Sequence, residues 1–114
     1  MNTFEIVMKY MNILFSGENL DRLLPLLSEN FTFKGPLYKF ENPNEYVTAM
    51  KKDPPQGFQY NILNVVENDS TVCLIYEFRK EVPKINTTMA QLFQIENKKI
   101  VSILLIFDTA PFTS

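Results

Sequence analysis

The dominant spacing of apolar residues along this chain changes near Gly57. Before that point they recur at three- and four-residue steps, and after it at every second residue. Phe4, Val7, Met8, Met11, Leu14 and Phe15 fall on one face of a helix. Asn2, followed three residues later by Glu5, forms a capping box at its start, and Ser16-Gly17 ends it. Leu20, Leu23, Leu24 and Leu27 make a second helical stripe behind a cap at Asn19, with Pro25 deep enough to kink or break it. Asn42-Pro43-Asn44-Glu45 predicts a third helix from Pro43 to about Lys52. Asn42 accepts from the first free amides, Pro43 presets φ, and Glu45 reaches back to the cap. Lys51 and Lys52 suit the negative end of the helix dipole, and Asp53-Pro54-Pro55 stops the helix.

Between the second and third helices, Phe31-Thr32-Phe33-Lys34 alternates as a short strand ending at Gly35-Pro36. Four longer strands follow. Phe58, Tyr60 and Ile62 share one face of the first; Val72, Leu74, Tyr76 and Phe78 of the second. Met89, Gln91, Phe93 and Ile95 share a face of the third; Val101, Ile103, Leu105 and Phe107 of the last. The gaps carry Asn68-Asp69-Ser70, Pro83-Lys84 and Asn97-Lys98, so the pattern is an antiparallel meander. The last strand is apolar on both faces, because Leu104 and Ile106 oppose Leu105 and Phe107. A second layer must cover its outer face, and with three helices to share out, a homodimer through the sheet is the expectation.

Length adds that residues 1–114 make one domain, able to bury roughly 65% of the surface of its unfolded chain. Eleven basic and thirteen acidic residues leave a net charge of -2, with no basic stripe to neutralise phosphates, which argues against nucleic acid as a partner. Cys73 is alone and reads as a small buried hydrophobe within a strand. Ile6 to Phe15 is interrupted by Lys9 and Asn12, too short to span a bilayer and without the cleavage site of a signal peptide. A cytoplasmic protein is expected, with the Asn-x-Ser/Thr triplets at Asn30, Asn68 and Asn86 as chance matches. With no histidine, one cysteine and three scattered glycines, the chain offers neither a metal-ligand cluster nor a phosphate loop, and no cofactor is expected.

Two stretches carry a family likeness. Ile6 to Lys39 reads as two helices joined at Ser16-Gly17-Glu18-Asn19-Leu20-Asp21, then Ser28-Glu29-Asn30-Phe31-Thr32-Phe33-Lys34-Gly35-Pro36. The ending is Phe93-Gln94-Ile95-Glu96-Asn97-Lys98-Lys99-Ile100-Val101, with Phe107-Asp108 downstream. In order and spacing these resemble the nuclear transport factor 2-like superfamily, in its SnoaL-like and ketosteroid-isomerase-like branch. The resemblance implies an α+β, cystatin-like cone: a curved antiparallel sheet wrapped around about three N-terminal helices, with an apolar cavity inside. Members of that superfamily include isomerases, cyclases, ligand binders and interaction modules, so fold alone settles no function.

By that resemblance Tyr10 matches the tyrosine that donates to the oxyanion in ketosteroid isomerases, and Thr87 matches the second donor, a neutral carboxylic acid. The position of the isomerase base is Gly35, which has no side chain to move a proton. Two of the three isomerase groups are therefore replaced. Gln91 lies among apolar neighbours, either as a ligand's polar anchor or bonded to the first helix. Asp108 ends the last strand and is either a base at the cavity mouth or a turn cap.

The sequence thus predicts a dimeric cone that binds a small, largely apolar molecule. Its inward row is Phe33, Tyr60, Tyr76, Phe93, Leu105 and Phe107, with Tyr10, Thr87 and Gln91 as polar contacts. Each ring buries on the order of 150–250 Å², so the rings could instead simply fill the cone. An isomerase, cyclase or lyase acting on a small carbonyl compound through Tyr10 and Asp108 is the competing reading, and a dimeric interaction module without catalysis a third.

Overall fold

The computed structural model describes residues 1–55 and 57–113. Helix α1 (Thr3–Ser16) opens with the expected capping box: Glu5 N–H donates to Asn2 Oδ1 at 2.8 Å, and Asn2 N–H donates to Glu5 Oε1 at 3.2 Å. Gly17 closes the helix in the left-handed region, at φ 67°, where a side chain would be strained. Ile6, Val7, Tyr10, Met11, Ile13 and Leu14 are its buried face.

The second helix differs from expectation. Leu20–Leu26 forms a 3₁₀ helix, and Asn19 precedes it in left-handed geometry with no side-chain cap. Pro25 explains the tighter winding, because it lacks the N–H that an α-helix would use and its ring crowds the preceding turn. Burial follows the tighter period: Leu20, Leu23 and Leu26 are inside at three-residue steps. Leu27 is then already extended and starts strand β1 (Leu27–Lys34), four residues earlier than the alternation at Phe31 suggests.

Strand β2 (Lys39–Phe40) folds back on β1, with Phe33 opposite Phe40. Helix α2 (Pro43–Lys52) begins as predicted, Glu45 N–H donating to Asn42 Oδ1 at 2.8 Å, but the Glu45 carboxylate accepts from Glu41 N–H instead of from the cap residue. The meander follows as β3 (Phe58–Glu67), β4 (Thr71–Lys80), β5 (Ile85–Glu96) and β6 (Lys99–Phe107), and a short helix α3 (Ala110–Thr113) closes the chain.

The six strands form one mixed sheet in the order β2-β1-β6-β5-β4-β3, antiparallel throughout except where β1 pairs parallel with β6. Register shifts interrupt β3 between Ile62 and Asn64 and the β5–β6 pair next to Ile95. Bulges of this kind let a sheet curve. The second also changes which residues of β6 face in. Ile95 pairs with Ile100 and Gln94 with Ser102, so Val101 is the extra residue and is only half-buried, while Ile100 is fully buried. Alternation alone had put Val101 in the inward row.

Helices α1 and α3 pack on the inner face, α1 against β3, β4 and β6 and α3 against β5. The outer face has no helix among the described residues. Register aligns two neighbouring apolar rows across it: Val66, Cys73, Leu92 and Leu104, then Ile75, Ala90 and Ile106. Val66, Leu104 and Ile106 are exposed, as is Leu63 in the bulge. No helix of the described residues is long and apolar enough to cross a membrane.

Candidate functional site

The inner face of the sheet is filled at one end and hollow at the other. Phe31, Phe93, Ile100, Ile103, Val7 and Leu23 are packed to full or nearly full burial. Beyond them lies a cavity of about 510 Å³, reaching the surface between the β1–β2 turn (Pro36, Leu37, Tyr38) and the segment after α2 (Asp53, Pro54, Pro55). A wider groove of about 860 Å³ runs along the outside of α1, but it is open to solvent and holds none of the candidate site residues.

Rings dominate the cavity wall: Phe15 from α1, Phe33 and Phe40 from the first two strands, Phe58 and Phe78 from the meander, and Phe107 and Phe112 at the end. They hold one another at ring-packing distances, Phe58 on Phe78 at 4.3 Å and Phe107 edge-on to Phe112 at 5.2 Å. Gly35 lies in this wall, and a Cβ there would make a tight contact of 3.2 Å with the Phe33 ring. The place where the resemblance puts a catalytic base is thus crowded by a phenyl ring.

Among the described residues the buried polar side chains of the interior are three phenols and one amide. Tyr10 and Tyr46 share a short hydrogen bond between their hydroxyls. Tyr76 donates to Gln91 Oε1 at 2.8 Å. All four line the cavity and all are buried. Gln91 thus faces the hollow with its carbonyl oxygen held by Tyr76 of β4, and no hydrogen bond to the first helix is present among the described residues. Burial pushes the Tyr10 phenol well above its ordinary range, with the Tyr46 hydroxyl adding to the rise and Gln91 partly offsetting it. Burial likewise raises Tyr46 and Tyr76. These phenols stay protonated at any physiological pH. They are donors and acceptors, with no capacity to serve as bases.

Of the residues expected at the site, Tyr10, Phe33, Tyr76, Gln91, Leu105 and Phe107 line the cavity. Four others lie outside the lining. Phe93 packs behind Tyr10, its ring edge-on at 5.4 Å, and belongs to the filled end. Tyr60 is screened by Phe15, at 4.7 Å between ring centres, and its hydroxyl donates to Asn12 Oδ1 at 2.6 Å. Thr87 is half-buried beside Phe78 on the neighbouring strand, two positions beyond Met89. Asp108 is exposed, and its carboxylate accepts from Ala110 N–H at 3.0 Å, capping α3. That is the turn-capping alternative, and it leaves the proposed base outside the cavity.

Tyr46 is the functional candidate the sequence reading missed. The signal existed: Tyr46, Val47 and Met50 sit at the spacing of an inward helix face, behind a cap that fixes the phase of α2. Asp53, also missed, is the one charged residue of the lining among the described residues.

With this geometry in hand, the comparisons with known proteins are direct. The family model of the SnoaL-like domain matches residues 7–103. An NTF2-like protein of unknown function from Cytophaga hutchinsonii superposes with a TM-score of 0.85 at 27% identity, over 100% of this chain and 96% of that one. An LEH-like epoxide hydrolase from M. tuberculosis gives a TM-score of 0.79 at 14% identity, covering 92% of this chain and 81% of its own. A de novo designed protein with a curved β-sheet gives 0.73 at 17% identity, covering 99% and 92%. No curated protein is significantly similar in sequence. A hydrolase and a designed protein on one fold leave the choice of function to the cavity residues.

Proposed function

The chain belongs to the family of SnoaL-like domains, and we propose that it acts by binding a small, largely apolar molecule in its cavity. The observation that carries this reading is the hollow of about 510 Å³, walled by rings and holding a cluster of buried phenols and one amide. Such a site, mostly apolar with a few converging polar groups, is the common form of small-molecule pockets. The competing enzymatic reading drew its base from Asp108, which caps α3, and Gly35 supplies none. The one carboxylate of the lining, Asp53, is exposed and lies apart from the buried phenols, and donors without a base beside them orient a bound molecule more readily than they transform it.

The test is to fill the hollow. Leu105 lines it and is half-buried, so Leu105→Trp occupies ligand space with little cost to the filled end. Titration with a fluorescent naphthalene derivative should give saturable binding in the wild type and affinity at least about tenfold weaker in the variant. Equal affinity in both would place the bound probe elsewhere and remove this reading.

A second copy of the chain is the proposed cover for the outer sheet face. The specific observation is the pair of apolar rows running Val66 to Leu104 and Ile75 to Ile106, exposed at Val66, Leu104 and Ile106 and free of charged residues. A two-fold axis through such a face would set apolar rows against apolar rows. Cys73 lies within it as a free thiol, which suits a reducing compartment such as the cytoplasm. Sedimentation equilibrium should report a dimer for the wild type and a monomer for Ile106→Glu; a monomeric wild type would end the proposal.

A further inference from the structure

Among the described residues Gln91 is the one side-chain amide buried in the core, only 3% exposed, and it sits on β5 between Leu74 and Leu105 of the neighbouring strands. Its oxygen is engaged, because the Tyr76 hydroxyl donates to Oε1 at 2.8 Å. That bond sets which end of the amide is left over: the NH₂ group, a donor with two hydrogens and no lone pair to offer. No hydrogen bond from Nε2 is present among the described residues, and none of their side-chain nitrogens or oxygens is both partnerless and sealed from solvent. Nε2 therefore opens into the hollow that Gln91 lines. Even a bond to the nearby Tyr10 oxygen would use one of its hydrogens and leave the second.

The neighbouring hydroxyls do not relieve this surplus. Tyr76 has spent its hydrogen on Oε1. Tyr10 and Tyr46 have two hydroxyl hydrogens and one bond between them, so the pair keeps one hydrogen of its own whichever of the two donates. The inner cluster thus holds more hydrogens than it uses. A purely hydrocarbon occupant would drive water from the amide and leave its hydrogens without an acceptor, which costs affinity. An occupant with an oxygen at that point avoids the loss.

Resting on the binding reading above, we infer that the Gln91 NH₂ group is a hydrogen-bond donor to the occupant, and that the occupant is a carbonyl compound or a like molecule that sets an acceptor oxygen against β5 while its apolar body lies among the rings.

The test uses 2-acetylnaphthalene and 2-ethylnaphthalene, which share a ring system and differ in the acceptor. In the wild type the ketone should bind about tenfold more tightly than the hydrocarbon, and its carbonyl stretch should move to lower frequency on binding. Gln91→Met, close in shape and without the amide, should erase both the advantage and the frequency shift, with the hydrocarbon bound at least as well as before. The double variant Tyr76→Phe/Gln91→Met removes both partners of their hydrogen bond, leaves no hydroxyl stranded there, and gives the same reading where the single variant does not fold. Tyr46→Phe should keep most of the ketone's advantage. Loss of that advantage in Tyr46→Phe, with retention once Gln91 is replaced, would assign the contact to the phenols and overturn the inference. Binding of both probes with no preference defeats this inference and spares the cavity reading; binding of neither defeats both.

Discussion

The two ends of the cone are built from the same residue types and behave oppositely. At the filled end Phe31 and Phe93 are wholly buried, and Ile95, Ile100 and Ile103 pack with them against Val7 and Met11 of α1. At the hollow end Phe58, Leu105, Phe107 and Phe112 are only half-buried, because one side of each faces the cavity. The difference lies in what the helices cover. Helix α1 and the 3₁₀ segment deliver aliphatic side chains onto one half of the sheet, whereas α2 reaches the other half with Tyr46, Ala49 and Met50 and leaves space between them. Ring content therefore does not decide whether an interior is solid; the number of aliphatic side chains delivered between the rings does.

That contrast is most exposed by truncating Phe93, and the largest effect is expected there. Phe93→Ala removes a fully buried ring that supports Tyr10 and leaves a void with rigid walls. The expected loss is about 3–5 kcal/mol of unfolding free energy, read by urea denaturation. A loss below about 1 kcal/mol would mean the filled end is not packed as described.

Alkaline titration reaches the border between the two ends. Tyr10, Tyr46 and Tyr76 have folded-state values raised above the unfolded one, chiefly by burial. Their contribution is therefore complete below the unfolded value near pH 10 and is lost as the pH rises beyond it, since only the unfolded chain can then release the protons. Each such phenol costs about 1.4 kcal/mol per pH unit above that point, so at about pH 11 the three together could remove up to about 4 kcal/mol. Thermal melts should hold level from neutrality to about pH 9 and fall steeply above about pH 10, with phenolate absorbance developing together with unfolding. Phenolate absorbance that grows in the still-folded protein would show these hydroxyls to be open to solvent.

A hydroxyl deletion is the gentler probe of the same border. Tyr10→Phe removes one partner of a buried hydrogen bond and leaves Tyr46 short of one, at an expected cost of about 1–2 kcal/mol by urea denaturation. An unchanged midpoint would mean water replaces the lost hydroxyl.

How much of this could be read from the sequence follows the range of the forces involved. Caps, helix phases and strand alternation are set by neighbours in the chain, and Asn2-Glu5, Asn42-Pro43 and the row Val72 to Phe78 lie as the spacing predicted. The parallel β1–β6 pair and the bulge at Val101 depend on partners distant in sequence, which alternation within one strand cannot register. The site divides the same way. Tyr10, Tyr76 and Gln91 were visible as polar groups on apolar faces, but which rings line a hollow and which pack behind it depends on the placement of α2 across the sheet. Phe93 and Tyr60 were misplaced for that reason. Tyr46 follows the same rule, since the cap at Asn42 fixes its phase on α2 but only the position of α2 over the sheet brings it to the hollow.

The smallest expected effect is the mirror image of the first. Phe107 ends β6 with one face already toward the cavity, so Phe107→Ala enlarges an existing hollow and creates no sealed void. The ring makes an edge-on contact with Phe112 of α3, and losing that contact is worth about 0.5–1.5 kcal/mol. Stability should therefore fall by about 1 kcal/mol, well short of the loss for Phe93→Ala, while the variant accepts probes bulkier than those the wild type binds. Matched losses for the two phenylalanines would mean that both ends are solid, because a ring beside empty space has fewer contacts to lose than one enclosed on every side.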